Sequence, residues 1–270
     1  MLLEGKNAII YGAGGGIGGG VARTFAREGA TVFLVGRTRE SLAAVAADIA
    51  AAGGSAEVTV VDALDEQAVD EHARAVASEA GSIDVSFNLI SRGDVQGIPL
   101  VDLTAADFAG AVTTGLMANF HTARAAAGHM VEQGSGVILT LTSGSARGTM
   151  PLMGNTGPAD AATETFMRYL AAELGPHGVR VVGLYTAGVP ETLTPTSTSP
   201  ASSFRVESTA AMTEQADSQA PTRRSATRSK KEDQPWPARS YCSADMRPRC
   251  WKSISVRPSP RSVRTTVISS

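Results

Sequence analysis

The stretch Tyr11-Gly12-Ala13-Gly14-Gly15-Gly16-Ile17-Gly18 could do chemistry with its backbone alone. It follows a short apolar run, Ala8 to Tyr11, and precedes a helical pattern in which Val21, Phe25 and Ala26 are apolar. Glycines in such a turn let a phosphate reach the backbone, where a side chain would hold it away. The helix beyond offers unpaired N–H groups and the positive end of its dipole. A nucleotide phosphate suits this arrangement when strand, turn and helix follow in that order. A second β-rich run, Thr31 to Val35, ends in Gly36 and Arg37, with Arg39 two residues on. An acid at that place accepts hydrogen bonds from ribose hydroxyls and repels a 2′-phosphate. Arginine beside glycine favours the phosphate, so NADP is expected over NAD.

The rest of the chain supplies elements to position this turn. Strands are expected at 6–11, 31–36, 56–61, 85–90, 136–142 and 179–185, from short β-branched or apolar runs bounded by glycine and polar residues. Helices are expected at 16–29, 38–52, 65–80, about 105–132 and about 159–174, with Thr104 as an N-cap and a loop running to Pro158. Strand and helix alternate up to residue 185. That order predicts an α/β fold: a doubly wound, mostly parallel Rossmann-type sheet with helices on both faces. Ligand then lies at the carboxyl ends of the strands, where the glycine turn points.

Residues 1–190 resemble the short-chain dehydrogenase/reductase family, of the 3-oxoacyl-carrier-protein reductase type. The glycine motif differs from the family's only at Tyr11, where the family has Thr. Val61-Asp62-Ala63-Leu64-Asp65 resembles the family segment bordering the adenine, which implies cofactor contacts at Asp62 and Ala63. Asp84 to Ser91 aligns with the Asn-Asn-Ala-Gly strand and keeps Asn88. Leu170 to Val181 matches the approach to the sixth strand, and Thr186-Ala187-Gly188 stands near the family's Pro-Gly. The resemblance implies hydride transfer between NADP(H) and a small-molecule carbonyl or alcohol. Its cofactor residues fall on Gly12, Gly14, Gly16, Ile17, Gly18, Arg37, Asp62, Ala63 and Asn88.

The family's proton relay is Ser, Tyr, Lys and Asn. Ser143 ends the fifth strand at the Ser position, and thirteen residues on stands Thr156, where the family has Tyr. The Lys position holds Asp160 and the Asn position Gly115. Threonine is far less acidic than tyrosine, whose pKa of roughly 10 a neighbouring cation can lower. Asp160 puts a negative charge where the family has a positive one. Asn119, one turn after Gly115, and Tyr185, near the end of the sixth strand, are the candidate substitutes. Tyr169 lies too far along its helix.

The C-terminal part differs in kind. All 28 glycines precede position 191, and residues 191–270 hold 16 Ser, 10 Thr, 8 Pro and 10 Arg. This segment carries +6 (13 basic, 7 acidic residues) and residues 1–190 carry −8 (11 basic, 19 acidic). Its composition cannot readily bury enough surface to order itself. It reads as a low-order tail, of the kind that a shifted reading frame produces. The family's seventh strand is then missing. Arg223, Arg224, Arg228, Lys230 and Lys231 form a basic run without interleaved aromatics, which reads as a solvated segment and not a nucleic-acid site.

Net charge of −2 favours no nucleic-acid partner, and no apolar run of transmembrane length occurs. Cys242 and Cys250 stand apart from any metal-ligand spacing, the four histidines share none, and a reducing cytoplasm is expected. No metal is expected. The resemblance further implies a homodimer through the two long helices, about 105–131 and 159–174. Three readings stay open: an oxidoreductase scaffold with weakened or lost turnover, an inactive cofactor-binding or regulatory protein, and a non-functional product of a shifted frame.

Overall fold

The computed structural model describes residues 1–148 and 150–186. The proposed tail, 191–270, lies outside them. Among the described residues six strands form one sheet: β1 (Asn7–Tyr11), β2 (Thr31–Gly36), β3 (Ser55–Val60), β4 (Val85–Asn88), β5 (Gly136–Ser143) and β6 (Val179–Thr186). Their spatial order is β3-β2-β1-β4-β5-β6, and every pairing is parallel. The order reverses between β1 and β4, which opens a crevice at their carboxyl ends.

Among the described residues five α-helices connect the strands: α1 (Gly16–Arg27), α2 (Arg39–Ala51), α3 (Glu66–Ala80), α4 (Ala105–Gln133) and α5 (Thr156–Leu174). Alternation along the strands sorts the core into two layers. Ile9, Tyr11, Phe33 and Val35 pack with Val69, Ala73 and Val76 of α3 and with Ala118, Ala126 and Met130 of α4. Ala8, Ile10, Val32 and Leu34 face the other way, against Ala22 and Ala26 of α1 and Leu42, Val45 and Ile49 of α2. Both faces of the central strands are thus buried, as a parallel sheet requires.

Helix ends follow local rules. Thr104 accepts a hydrogen bond from the Asp107 amide at 3.0 Å, as expected of an N-cap, and α4 ends at Gly134 with φ +68°. Helix α5 begins at Thr156, three residues before the expected start. Pro158 sits in its first turn, where the N–H that proline lacks has no helical partner anyway.

Asp84 ties the amino-terminal edge together. Its carboxylate accepts from Lys6 Nζ (2.8 Å), the Asn7 amide (3.0 Å) and Ser82 (2.9 Å). Burial pushes its pKa up, but these donors outweigh burial and hold it below the ordinary carboxylate value.

Candidate functional site

The chain leaves β1 at Tyr11 and turns at Gly12, whose φ is +79°. The Gly12 and Ala13 amides donate to the Val35 carbonyl at 2.8 and 3.2 Å. A Cβ on Gly12 would stand 2.5 Å from the Leu89 oxygen, and one on Gly18 would stand 2.1 Å from the Gly12 oxygen. A Cβ on Gly14 would meet Ser41 Oγ at 2.2 Å. At Gly12 and Gly18 the turn is therefore closed by backbone against backbone, and only glycine fits. Gly16 and Ile17 open α1, whose N-cap Gly15 has no side chain and whose first turn holds no acid. The helix presents its amides and dipole unopposed. This cradle fits the pyrophosphate of a dinucleotide.

The other expected cofactor positions lie at or just past the carboxyl ends of β2, β3 and β4. Asn88 ends β4, is buried, and its Oδ1 accepts from the Ile90 amide at 3.2 Å. Asp62 follows β3 and accepts from the Leu64 amide at 3.0 Å. Ala63 is buried, with its carbonyl 3.1 Å from His121 Nδ1. Arg37 is exposed just past β2 and has no carboxylate partner among the described residues. Its charge is available to a ligand anion.

At the ends of β5 and α5 the structure brings Ser143 and Asp160 into contact. Asp160 Oδ2 accepts from the Ser143 amide at 2.9 Å and from the Ser143 hydroxyl. Ser143 Oγ also accepts from the Ser145 amide at 3.2 Å, so it bonds its own loop. The Asp160 side chain is 0% exposed. Its negative charge is compensated: Arg92 Nη1 lies 2.7 Å from Oδ1, an ionic contact not aligned as a hydrogen bond. Thr156 is the first residue of α5, is buried, and accepts from Gln96 Nε2 at 3.0 Å.

Of the two candidate substitutes, Asn119 spends its amide nitrogen on the Gly115 carbonyl at 2.8 Å. Tyr185 is held by Arg147, which donates from Nη2 to the phenol oxygen at 2.7 Å and lies 4.7 Å over the ring. Arg147 Nε also donates to buried Glu164 at 3.3 Å.

Arg92, Gln96, Arg147 and Asn155 were not singled out in the sequence. Asn155 Oδ1 accepts from the Val95 amide at 2.9 Å, and its Nδ2 donates to the Asp107 carbonyl at 2.6 Å. It locks the loop before α5 onto the loop after β4. Gly154, at φ +55°, lies so close to Val95 that a Cβ would stand 1.8 Å from its oxygen. The one available signal was chemical: a buried acid at 160 needs a cation, and a loop arginine lies close after β4.

The chain and its fold are similar to those of known proteins. The family model described as Enoyl-(Acyl carrier protein) reductase matches residues 12–231. The 7alpha-hydroxysteroid dehydrogenase of Escherichia coli (strain K12) is 34% identical over 184 residues, covering 68% of this chain and 71% of that protein. Gluconate 5-dehydrogenase of Gluconobacter oxydans (strain 621H) is 31% identical, over 67% of this chain and 70% of that one. Among solved structures, the 7 alpha-hydroxysteroid dehydrogenase complexed with NADH and 7-oxo glycochenodeoxycholic acid superposes with a TM-score of 0.63 at 34% identity, over 68% of this chain and 71% of that one. A metagenomic short-chain oxidoreductase in complex with NADP gives 0.64 at 29% identity, over 70% of this chain and 85% of that one. From its six-stranded parallel sheet, its glycine cradle and these relatives, the chain belongs to the short-chain dehydrogenase/reductase family of oxidoreductases.

Proposed function

We propose that the chain binds NADP(H) and retains the family's hydride-transfer scaffold for a small carbonyl or alcohol, with turnover at or near background. One observation carries the binding half: the glycine cradle faces an uncapped α1, with unpaired Arg37 beyond β2. Relatives bearing NADP and NADH support a pyridine nucleotide, and Arg37 favours the phosphorylated one. The cofactor supplies the hydride chemistry; the chain binds and orients it. The low turnover follows from Thr156, Asp160 and Gly115. The Ser143 hydroxyl is engaged in donating a hydrogen bond to Asp160, and Thr156 is no practical acid at neutral pH. Fluorescence titration tests the reading: NADPH should bind more tightly than NADH, and the absence of NADPH binding would overturn it.

A second reading has a specific support. Tyr185 near the carboxyl end of β6 has a guanidinium at its oxygen, the pairing of phenol and cation that proton donation needs. If turnover is robust, Tyr185 is the acid, and Tyr185→Phe should abolish it.

We also place a second copy of the chain on the α4–α5 face. Met117 and Phe120, each 37% exposed, line a shallow apolar groove with Ala161, Ala162 and Phe166. No helix of the described residues is long and apolar enough to cross a membrane. The cytoplasm remains the proposed setting.

A further inference from the structure

Two departures from the family pattern, Asp160 and Gly115, converge on Arg92. Its guanidinium leaves the loop after β4 and reaches α5, with Nη1 2.7 Å from Asp160 Oδ1. Its Nε donates to both oxygens of Asp94, at 2.9 and 3.0 Å. Its aliphatic stem crosses α4 at Gly115, where a Cβ would stand 2.9 Å from Arg92 Cδ. Asparagine at 115 would occupy the volume of that stem. Lysine at 160 would face the guanidinium, cation against cation. The acid at 160 and the glycine at 115 form one arrangement with Arg92 and are not two separate losses.

The pair has a clear electrostatic logic. A carboxylate with no exposure is costly unless a cation and hydrogen bonds compensate it. Asp160 has both: Arg92 on one oxygen and Ser143 on the other. Asp94 draws on the same guanidinium but is 29% exposed, so water screens it. Without Arg92 the bare charge of Asp160 would sit beside the crevice at the strand ends and repel an anionic ligand.

We propose that Arg92 is the cation of this site, delivered from the loop after β4 instead of from α5, and that it is a positioning residue. It keeps Asp160 neutralised, and Asp160 fixes the Ser143 amide and hydroxyl at the edge of the cofactor crevice. Gly115 is the gap that admits it. The ionic arrangement stands on the structure; only its effect on the cofactor rests on the NADP(H) reading above.

The test is a double-mutant cycle on the full chain, read by NADPH fluorescence titration and by thermal melting. Arg92→Leu should weaken NADPH binding about tenfold or more, the scale of one uncompensated charge several ångström from the ligand. Asp160→Asn added to Arg92→Leu should restore affinity to within about threefold of wild type, since the charge is then gone. Arg92→Lys should keep most of the affinity, because it keeps the cation. A purely structural arginine would lower the melting temperature and leave the affinity of the folded protein unchanged, which would overturn the proposal. If Arg92→Leu alone does not fold, the double variant decides: folded but unable to bind NADPH, it overturns the proposal; folded and binding, it supports it. Wild-type chain that binds no NADPH sinks the cofactor reading and the positioning role together. Wild-type binding with additive 92/160 effects sinks this inference alone.

Discussion

Tyr11 and His72 meet edge to face inside the core, ring centroids 6.2 Å apart, and neither the phenol oxygen nor either imidazole nitrogen has a hydrogen-bond partner among the described residues. Burial drives the His72 pKa down to about 4 from its ordinary value of 6.5. Burial, with Asp70 nearby, drives that of Tyr11 well up. Both groups are held in their neutral forms.

An acid-sensitivity prediction follows from His72. The unfolded chain binds a proton near pH 6.5 and the folded chain only near 4, so stability is full above 6.5 and is lost as pH falls toward 4. The loss should approach about 3 kcal/mol at pH 4, as the size of the shift requires. Urea unfolding at pH 7.5 and 4.5 measures it. His72→Leu should flatten the acid limb; an unchanged limb would assign the loss elsewhere.

Two glycines of α1 should respond oppositely to the same change. Gly18→Ala puts a methyl 2.1 Å from the Gly12 oxygen. It should cost about 1–3 kcal/mol and weaken NADPH binding severely. Gly20 is exposed, and a Cβ there would meet nothing within 4 Å. Gly20→Ala should stabilise by about 0.5–1 kcal/mol and leave affinity alone. Equal effects at both positions would contradict the cradle.

Arg37→Asp should reverse cofactor preference, because an acid there accepts from ribose hydroxyls and repels the 2′-phosphate. Parallel titrations with NADPH and NADH show it. Retained NADPH preference would place the phosphate away from Arg37.

Restoring the family acid and its activator, Thr156→Tyr with Asp160→Lys, should not by itself restore carbonyl reduction. The new lysine would face Arg92, and Gly115 would still hold the arginine stem. Adding Arg92→Leu and Gly115→Asn should raise reduction above the double variant, within the ~10²- to 10⁴-fold that general acid catalysis is worth. An active double variant would show that Arg92 yields easily.

Met117→Glu puts a charge on the exposed apolar face of α4. If a second copy packs there as proposed, sedimentation should show a dimer for the unmodified chain and a monomer for the variant. A monomeric wild type would remove the proposed partner.

Much of the frame was legible in the sequence. The glycine turn, strand alternation and caps such as Thr104 are local signals, and the sheet reproduces them. Ser143, Thr156 and Asp160 were reachable by counting along β5 and α5. Their partners were not, since no periodicity links Arg92 to Asp160 or Gln96 to Thr156 across separate loops. Pro158 misled the start of α5 because proline marks both loops and first turns. The direction of Tyr185 depended on Arg147, which only folding brings beside it.

The loop after β4 is sewn to the segment before α5. Gly97 donates to the Leu152 carbonyl at 2.8 Å, Val95 to Asn155 at 2.9 Å, and Gln96 to Thr156 at 3.0 Å. Leu152 adopts φ +65°, a conformation rare outside glycine. For anyone diversifying this wall of the cleft, residues 93–97 and 150–156 are a single graft. A library that varies one and keeps the other would break the stitches before it sampled a new specificity, whereas exchanging both together with Arg92 would carry a self-consistent wall into a relative.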